Sequence, residues 1–271
     1  MLVDTHCHLD ASYFPDGADA ALGRARDAGV GAFVCVGVGS AQAAESAVGL
    51  ARRRSDVVAT VGVHPHDASS WGDELERALS PLIGQERVVA LGEMGLDYHY
   101  DHSPREVQQE VFRRWIALAR AAKKPIVVHT RSAARDTLEI LESEGARDVG
   151  GVIHCFSEDR DFAERAFSLG FDVSFSGIVT FKNAASIQEV AKTAPLDRIL
   201  VETDSPYLAP VPLRGKPCEP AYVAHTARFV AELRGMSLEE LAEATTANAI
   251  RRFGPVLARA AEAVQNGEDA R

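Results

Sequence analysis

Eight short apolar runs, rich in β-branched residues, recur along this chain with stretches of helical periodicity between them. They are "LVDTHCH" (2–8), "AFVCVGV" (32–38), "VVATVGVH" (57–64), "RVVALGE" (87–93), "PIVVHT" (125–130), "GVIHCF" (151–156), "FDVSFSG" (171–177) and "RILVETD" (198–204). Near-continuous apolar runs are the mark of strands buried on both faces, which occur in parallel sheets covered by helices. Strand–helix alternation of this kind belongs to the α/β class, as a closed barrel or a doubly wound open sheet. Eight repeats within 271 residues match one barrel, which takes about 250. The expectation is a single (β/α)8 TIM barrel over residues 1–271, with a polar tail from about 265 to 271.

The clearest helix is "SPREVQQEVFRRWIALARAAKK" (103–124). Ser103 is placed to cap it, with Pro104 in the first turn and Glu106 three residues after the cap. Val107, Val111, Trp115 and Leu118 recur at helical spacing and form the expected buried stripe. After the eighth run comes a Pro-rich loop (205–220), then two helices over about 221–234 and 237–252.

The chemistry sits at one edge of this pattern. His6 and His8 end the first run, His64 the third, Glu93 the fourth, His129 the fifth, His154 the sixth and Asp204 the eighth. In barrel enzymes the active site lies at the C-terminal ends of the strands. Side chains alternate along a strand, so Asp4, His6, His8 and Asp10 should share one face, and Val3, Thr5 and Cys7 the other. By the same count Val127, His129 and Arg131 point together, as do Val152, His154 and Phe156, and Leu200, Glu202 and Asp204. Cys155 then turns outward as a small hydrophobe.

His6, His8, Glu93, His129, His154 and Asp204 exceed what one tetrahedral zinc takes, since a catalytic zinc uses three protein ligands and water. With Glu93 as a bridge they divide into two sites, and two divalent cations are expected. Magnesium, manganese and zinc are the candidates; imidazole-rich sites suit zinc, manganese or iron, whereas magnesium prefers oxygen ligands. A two-metal centre acidifies a water and clamps both oxygens of a displacement, and Asp204 is placed to take that water's proton. Glu93 and Asp204 are thus the expected catalytic carboxylates. Burying so many polar groups without a cation would be costly.

Around them, His64 and His66 in "GVHPHD", Arg131, and Arg214 and Lys216 in the last loop are candidate substrate contacts. Glu202 reads as a partner that orients a ligand. No GxSxG context appears, which argues against a serine nucleophile. The four cysteines have no CxxC spacing, so reduced thiols are expected. With the first strand starting at residue 2, no leader is expected and a cytoplasmic location is. No run is long enough for a membrane span, and nothing points to an obligate protein partner. A net charge of −10 argues against a broad basic surface for wrapping duplex.

Taken together, "DTHCHLD", "GVHPHD", "GEMGLDYHYD", "QQEVFRRWIALA", "KPIVVHTR", "HCFSED", "SFSGIVTFKN", "VETDSPYLAPVPLRGK" and "TTANAIRRF" closely resemble the TatD family of metal-dependent deoxyribonucleases, within the amidohydrolase-like barrels. The resemblance runs over about residues 2–253. It implies a divalent-metal hydrolase that cleaves phosphodiester bonds of DNA, often from a 3′ end, with its metal positions on the same six residues. One departure lies in "RGKPCEP", where Pro217 and Cys218 replace a basic residue and an amide common in the family. An ester or amide hydrolase on the same barrel is the alternative, because an activated water attacks carbonyl carbon and phosphorus alike. A non-catalytic scaffold would be signalled by lost ligands, and all six are present.

Overall fold

The computed structural model describes residues 1–265 of the chain, so the tail expected from about 265 falls almost wholly outside the described residues. Its frame is one eight-stranded parallel sheet in sequential order. The strands are β1 (Leu2–Cys7), β2 (Val30–Gly37), β3 (Val57–Val61), β4 (Val88–Asp97), β5 (Ile126–Arg131), β6 (Gly151–Ile153), β7 (Phe171–Phe175) and β8 (Ile199–Val201). The first and last strands meet beyond the end of β8: Asp204 N–H donates to His6 O, and His8 N–H to Ser205 O, each at 2.9 Å. Those two bonds close the barrel at the edge where the histidines stand.

Helices fill the connections: α1 (Ala18–Asp27), α2 (Ala41–Arg53), α3 (Asp73–Ile83), α4 (Arg105–Ala122), α5 (Ala134–Ser143), α6 (Arg160–Ser168) and α7 (Ala185–Thr193). Three more follow β8: α8 (Val223–Arg234), α9 (Leu238–Phe253) and α10 (Pro255–Gln265). The architecture is a (β/α)8 TIM barrel. No helix among the described residues is long and apolar enough to cross a membrane.

Two apolar layers hold it together. The outer layer lies between strands and helices and includes Phe33, Leu91, Met94, Trp115 and Phe171. The inner one fills the barrel with Val3, Ala32, Val34, Val58, Val127, Val152 and Leu200. Ala249, Phe253, Leu257, Ala260 and Ala261 of α9 and α10 join this inner layer. The last helix, which the sequence did not suggest, therefore packs small residues onto the core the strands enclose.

Helix α4 begins differently from the expectation. Pro104 occupies the N-cap, and the Ser103 hydroxyl does not cap the helix. Instead it donates to His66 O at 2.8 Å and accepts from Ser69 N–H at 3.0 Å, pinning the loop after β3. The buried stripe is broader than expected: Val111 and Trp115 are joined by Phe112, Ile116 and Gln108, while Val107 and Leu118 are only partly covered.

The ladder shifts register at several points, and two of these shifts, in β1 and β4, lie beside the ligands, each through one extra residue. In β1, Asp4 pairs with Phe33 and Cys7 with Cys35, so three steps oppose two. Such a bulge reverses which face later residues take. Val3 accordingly lies in the inner layer, and Thr5 bonds Ser174 Oγ at 3.1 Å, yet His6 and His8 beyond the bulge still reach the site. In β4, Gly92 pairs with Val127 and Met94 with Val128, so Glu93 is the extra residue. Ala90 packs inward before it, while Met94 and Leu96 pack outward after it. Gly92 and Gly95 bracket the bulge at φ 139° and 141°, a conformation that glycine alone adopts freely.

Candidate active site

Glu93 stands at the centre of the histidines. It is 3% exposed; its Oε1 lies 2.7 Å from His154 Nε2, 3.0 Å from His129 Nδ1 and 3.4 Å from His64 Nε2. Its Oε2 lies 3.3 Å from His6 Nε2 and 3.9 Å from His8 Nε2. Asp204 Oδ1 is 3.8 Å from His6 Nε2 and 3.7 Å from His8 Nε2. The structure thus brings all six expected ligands into one cluster, with residues from β1, β4 and β5 and from the turns after β1, β6 and β8.

Two further carboxylates set the rings. His129 Nε2 lies 3.2 Å from Asp97 Oδ2, and His154 Nδ1 lies 3.2 Å from Glu202 Oε1. Each ring therefore turns one nitrogen to an outer carboxylate and the other to Glu93, the arrangement that fixes a histidine's tautomer and aim. Asp97 is itself fixed: its Oδ1 accepts from His99 N–H and Tyr100 N–H, both at 2.9 Å. The Gln108 side chain holds the Asp97 backbone through bonds of 2.8 and 3.1 Å. Neither Asp97 nor Gln108 was singled out from the sequence, although both lie within the matched stretches. The available signal for Asp97 was its place four residues after Glu93 in "GEMGLDYHYD".

Electrostatics follow from this crowding. Burial alone would raise Glu93, but facing His154 and His64, and bonds to His129 and His154, hold it well below the usual carboxylate range. Asp97 is likewise lowered despite burial, through His129 and the Tyr100 backbone. Burial pushes His8 down to about 3, with His6 adding to the effect, and burial lowers His64. His129 and His154 go the other way: their carboxylate partners outweigh burial. Burial raises Asp204 to about 6.

The donor set fits divalent cations. His6 is fully buried, and neither of its ring nitrogens has a hydrogen-bond partner, an arrangement that native interiors avoid unless another partner is present. Three donor groups, His6–His8–Glu93, His6–His154–Glu202 and His64–Glu93–His129, each hold their ligand atoms within 4.8 Å of one another. Glu93 belongs to two of them. His64, expected to contact substrate or to orient a ligand, therefore stands among the possible donors.

The cluster forms the floor of a cavity of about 1190 Å³, lined also by Asp10, Tyr13, Tyr100, Arg131 and Tyr207. His66 Nε2 lies 2.9 Å from Asp97 Oδ2 and so supports the site from its wall. Arg131 is exposed on that wall, with its guanidinium 4.7 Å above the Tyr100 ring. Arg214 is not brought to the wall: its guanidinium lies 4.3 Å over Phe181. Asp10 is exposed and accepts from Ser12 N–H at 2.8 Å rather than joining the histidines. Cys155 does not pack outward, because β6 ends at Ile153 and alternation stops there; it lines the cavity with its thiol 3.2 Å from Ser176 Oγ.

Known proteins share this fold and much of this sequence. A family model described as TatD related DNase matches residues 3–254. The chain is 47% identical over 258 residues to YcfH of Escherichia coli K12, named an uncharacterized metal-dependent hydrolase, covering 93% of this chain and 96% of that one. It is 34% identical over 254 residues to the 3′-5′ ssDNA/RNA exonuclease TatD of Pantoea vagans, covering 92% of this chain and 97% of that one. The crystal structure of YjjV, a TatD homologue from Escherichia coli K12, superposes with a TM-score of 0.87 at 30% identity, over 93% of this chain and 97% of that one. The chain is a metal-dependent hydrolase and belongs to the TatD-related DNase family.

Proposed function

We propose that this hydrolase cleaves phosphodiester bonds at unpaired 3′ ends of DNA. The observation that carries the reading is the position of Glu93, which faces His6 and His8 through one carboxylate oxygen and His64, His129 and His154 through the other. In this reading His6, His8, Glu93, His129, His154 and Asp204 hold two divalent cations. When bound there, such cations lower the pKa of water and neutralise charge on phosphoryl oxygens. Asp204 is the base: its carboxylate opens to the cavity and stands 3.8 Å from His6 Nε2 and 3.7 Å from His8 Nε2, within reach of a water held among these ligands. His64 and His66 shape the wall beside the reacting bond, and Arg131 offers a forked cation to a phosphate. The relative from Pantoea vagans, named for exonuclease action on single-stranded DNA and RNA, supports the direction and the unpaired substrate.

The test is a gel time course on an end-labelled single-stranded oligonucleotide with magnesium, manganese or zinc, beside Asp204→Ala and Glu93→Ala. The expected result is a ladder that shortens from the 3′ end, requires metal and is lost in both variants. Cleavage that matches the variants' background with every metal refutes the phosphodiester reading. Hydrolysis of an acyl ester in that case would move the substrate to the carbonyl class.

A further inference from the structure

Among the described residues, the exposed large hydrophobic side chains are Met1, Tyr13, Tyr100, Tyr207 and Val211. All three tyrosines line the cavity above Glu93. Arg53 and Arg131 are the permanent cations on that lining, and carboxylates outnumber them. Beyond the scissile phosphate at the proposed metal positions, an anionic strand in this cavity meets few side-chain cations for its backbone, whose charge elsewhere dominates nucleic-acid affinity. Stacking of bases on aromatic faces is the alternative that tolerates any sequence.

Tyr207 is built into the same turn as Asp204: its N–H donates to Asp204 O at 2.9 Å. Its ring lies 6.2 Å from the His8 ring at 74°, so it borders the reacting centre directly. Tyr13, from the loop after β1, braces it: the two hydroxyl oxygens are 3.0 Å apart and the rings meet at 69°. Tyr207 nevertheless remains 50% exposed and Tyr13 42% exposed. Elsewhere on the lining, Tyr100 has Arg131 above it and His102 stacked at 5.6 Å, which occupies that ring in holding the arginine.

We propose that Tyr207, braced by Tyr13, is the platform on which the unpaired base beside the reacting bond stacks, and that it confers preference for unpaired ends. A base inside a duplex already stacks on its neighbours, whereas a splayed base has a face to offer. The proposal rests on the phosphodiester reading for its substrate and goes further by naming the residues that recognise it.

The experiment uses a single-stranded oligonucleotide ending in 3′ 2-aminopurine through a non-hydrolysable phosphonate linkage, with an abasic-ended strand for comparison. Base–aromatic stacking is worth roughly 10- to 100-fold in affinity. Wild type should quench the 2-aminopurine and bind the base-ended strand roughly 10- to 100-fold more tightly than the abasic one. Tyr207→Phe should keep most of this ratio, because stacking needs the ring and the ring contact with Tyr13 remains when the hydroxyl contact is lost. Tyr207→Ala should bring it toward one, and Tyr13→Ala should reduce it. Equal affinity for both strands in wild type, or an unaltered ratio in Tyr207→Ala, overturns the platform. Cleavage of the ordinary strand is scored separately: stacking without cleavage overturns only the phosphodiester reading, and cleavage without stacking overturns only the platform.

Discussion

Asp97→Asn removes one charge and almost no volume from a carboxyl group that is 1% exposed. Asp97 Oδ1 takes two backbone N–H bonds, while Oδ2 faces His129 Nε2 at 3.2 Å and His66 Nε2 at 2.9 Å. A carboxylate accepts at both oxygens, so it keeps a proton on His129 Nε2 and leaves Nδ1, 3.0 Å from Glu93 Oε1, to bind a cation. An asparagine must keep its oxygen where the two backbone donors point. Its NH₂ then meets two imidazoles as a donor, and the neutral His129 ring answers by moving its proton to Nδ1. A cation would have to displace that proton and turn the amide against its backbone partners. Loss of an outer partner of this kind lowers metal affinity by about 10- to 100-fold, or about 1.4–2.8 kcal/mol. The expected loss is at the upper end, since two histidines share the same oxygen. The assay is a competition titration with zinc against a chromogenic chelator, combined with nitrogen NMR of the imidazole tautomers. A Kd within about twofold of wild type, or a His129 proton that stays on Nε2, refutes the reasoning.

Two further predictions concern the frame that holds the site. Gly95→Ala puts a Cβ onto the carbonyl oxygen of His129 at a φ of 141°, and should destabilise the fold by about 3 kcal/mol. That corresponds to a Tm lower by roughly 6–12 °C; an unchanged melting curve would show that β4 and β5 do not approach as described. Lys124→Met removes an ammonium that donates to Ile83 O at 2.7 Å, Gln85 O at 3.2 Å and Val88 O. Leaving those carbonyls short of donors should cost about 1–3 kcal/mol in urea unfolding; an unshifted midpoint would show that water satisfies them equally well.

The barrel was legible because its strands are buried on both faces, and that burial writes an apolar run even where the ladder is short. β6 and β8 span three residues each, yet "GVIHCF" and "RILVETD" announced them. The ligand edge was legible because each polar residue follows an apolar run at the same end. Gln108 and Ser103 were not, since their use is tertiary: Gln108 resembles any polar residue on a helix, and Ser103 resembles a cap until it binds His66 O. The last helix carried a visible alanine-rich face, but only its seat beside Val3, Val34 and Leu200 gives that face a purpose.

Counting by twos failed at the residues that matter most. Alternation assumes one residue per rung, and β1 and β4 each insert another where a ligand must enter the site. In β4 the sequence did carry a signal: glycines at 92 and 95 inside an otherwise apolar strand mark a bulge or a close backbone approach. Both uses occur together, because Gly92 and Gly95 run against the backbones of Val127 and His129. That closeness brings His129 within reach of Glu93, while the bulge turns Glu93 inward although Leu91, two residues before it, packs into the outer layer. In β1 nothing marks the insertion, since Asp4, Thr5 and His6 are ordinary strand-end residues. There the bulge puts Thr5 and His6 on the same side, one bonded to Ser174 and the other stacked on His154 at 3.9 Å. A barrel with regular β1 and β4 could not keep both its apolar filling below and these ligands above. The irregularities that defeat a sequence count are therefore what join the structural half of each strand to its chemical half.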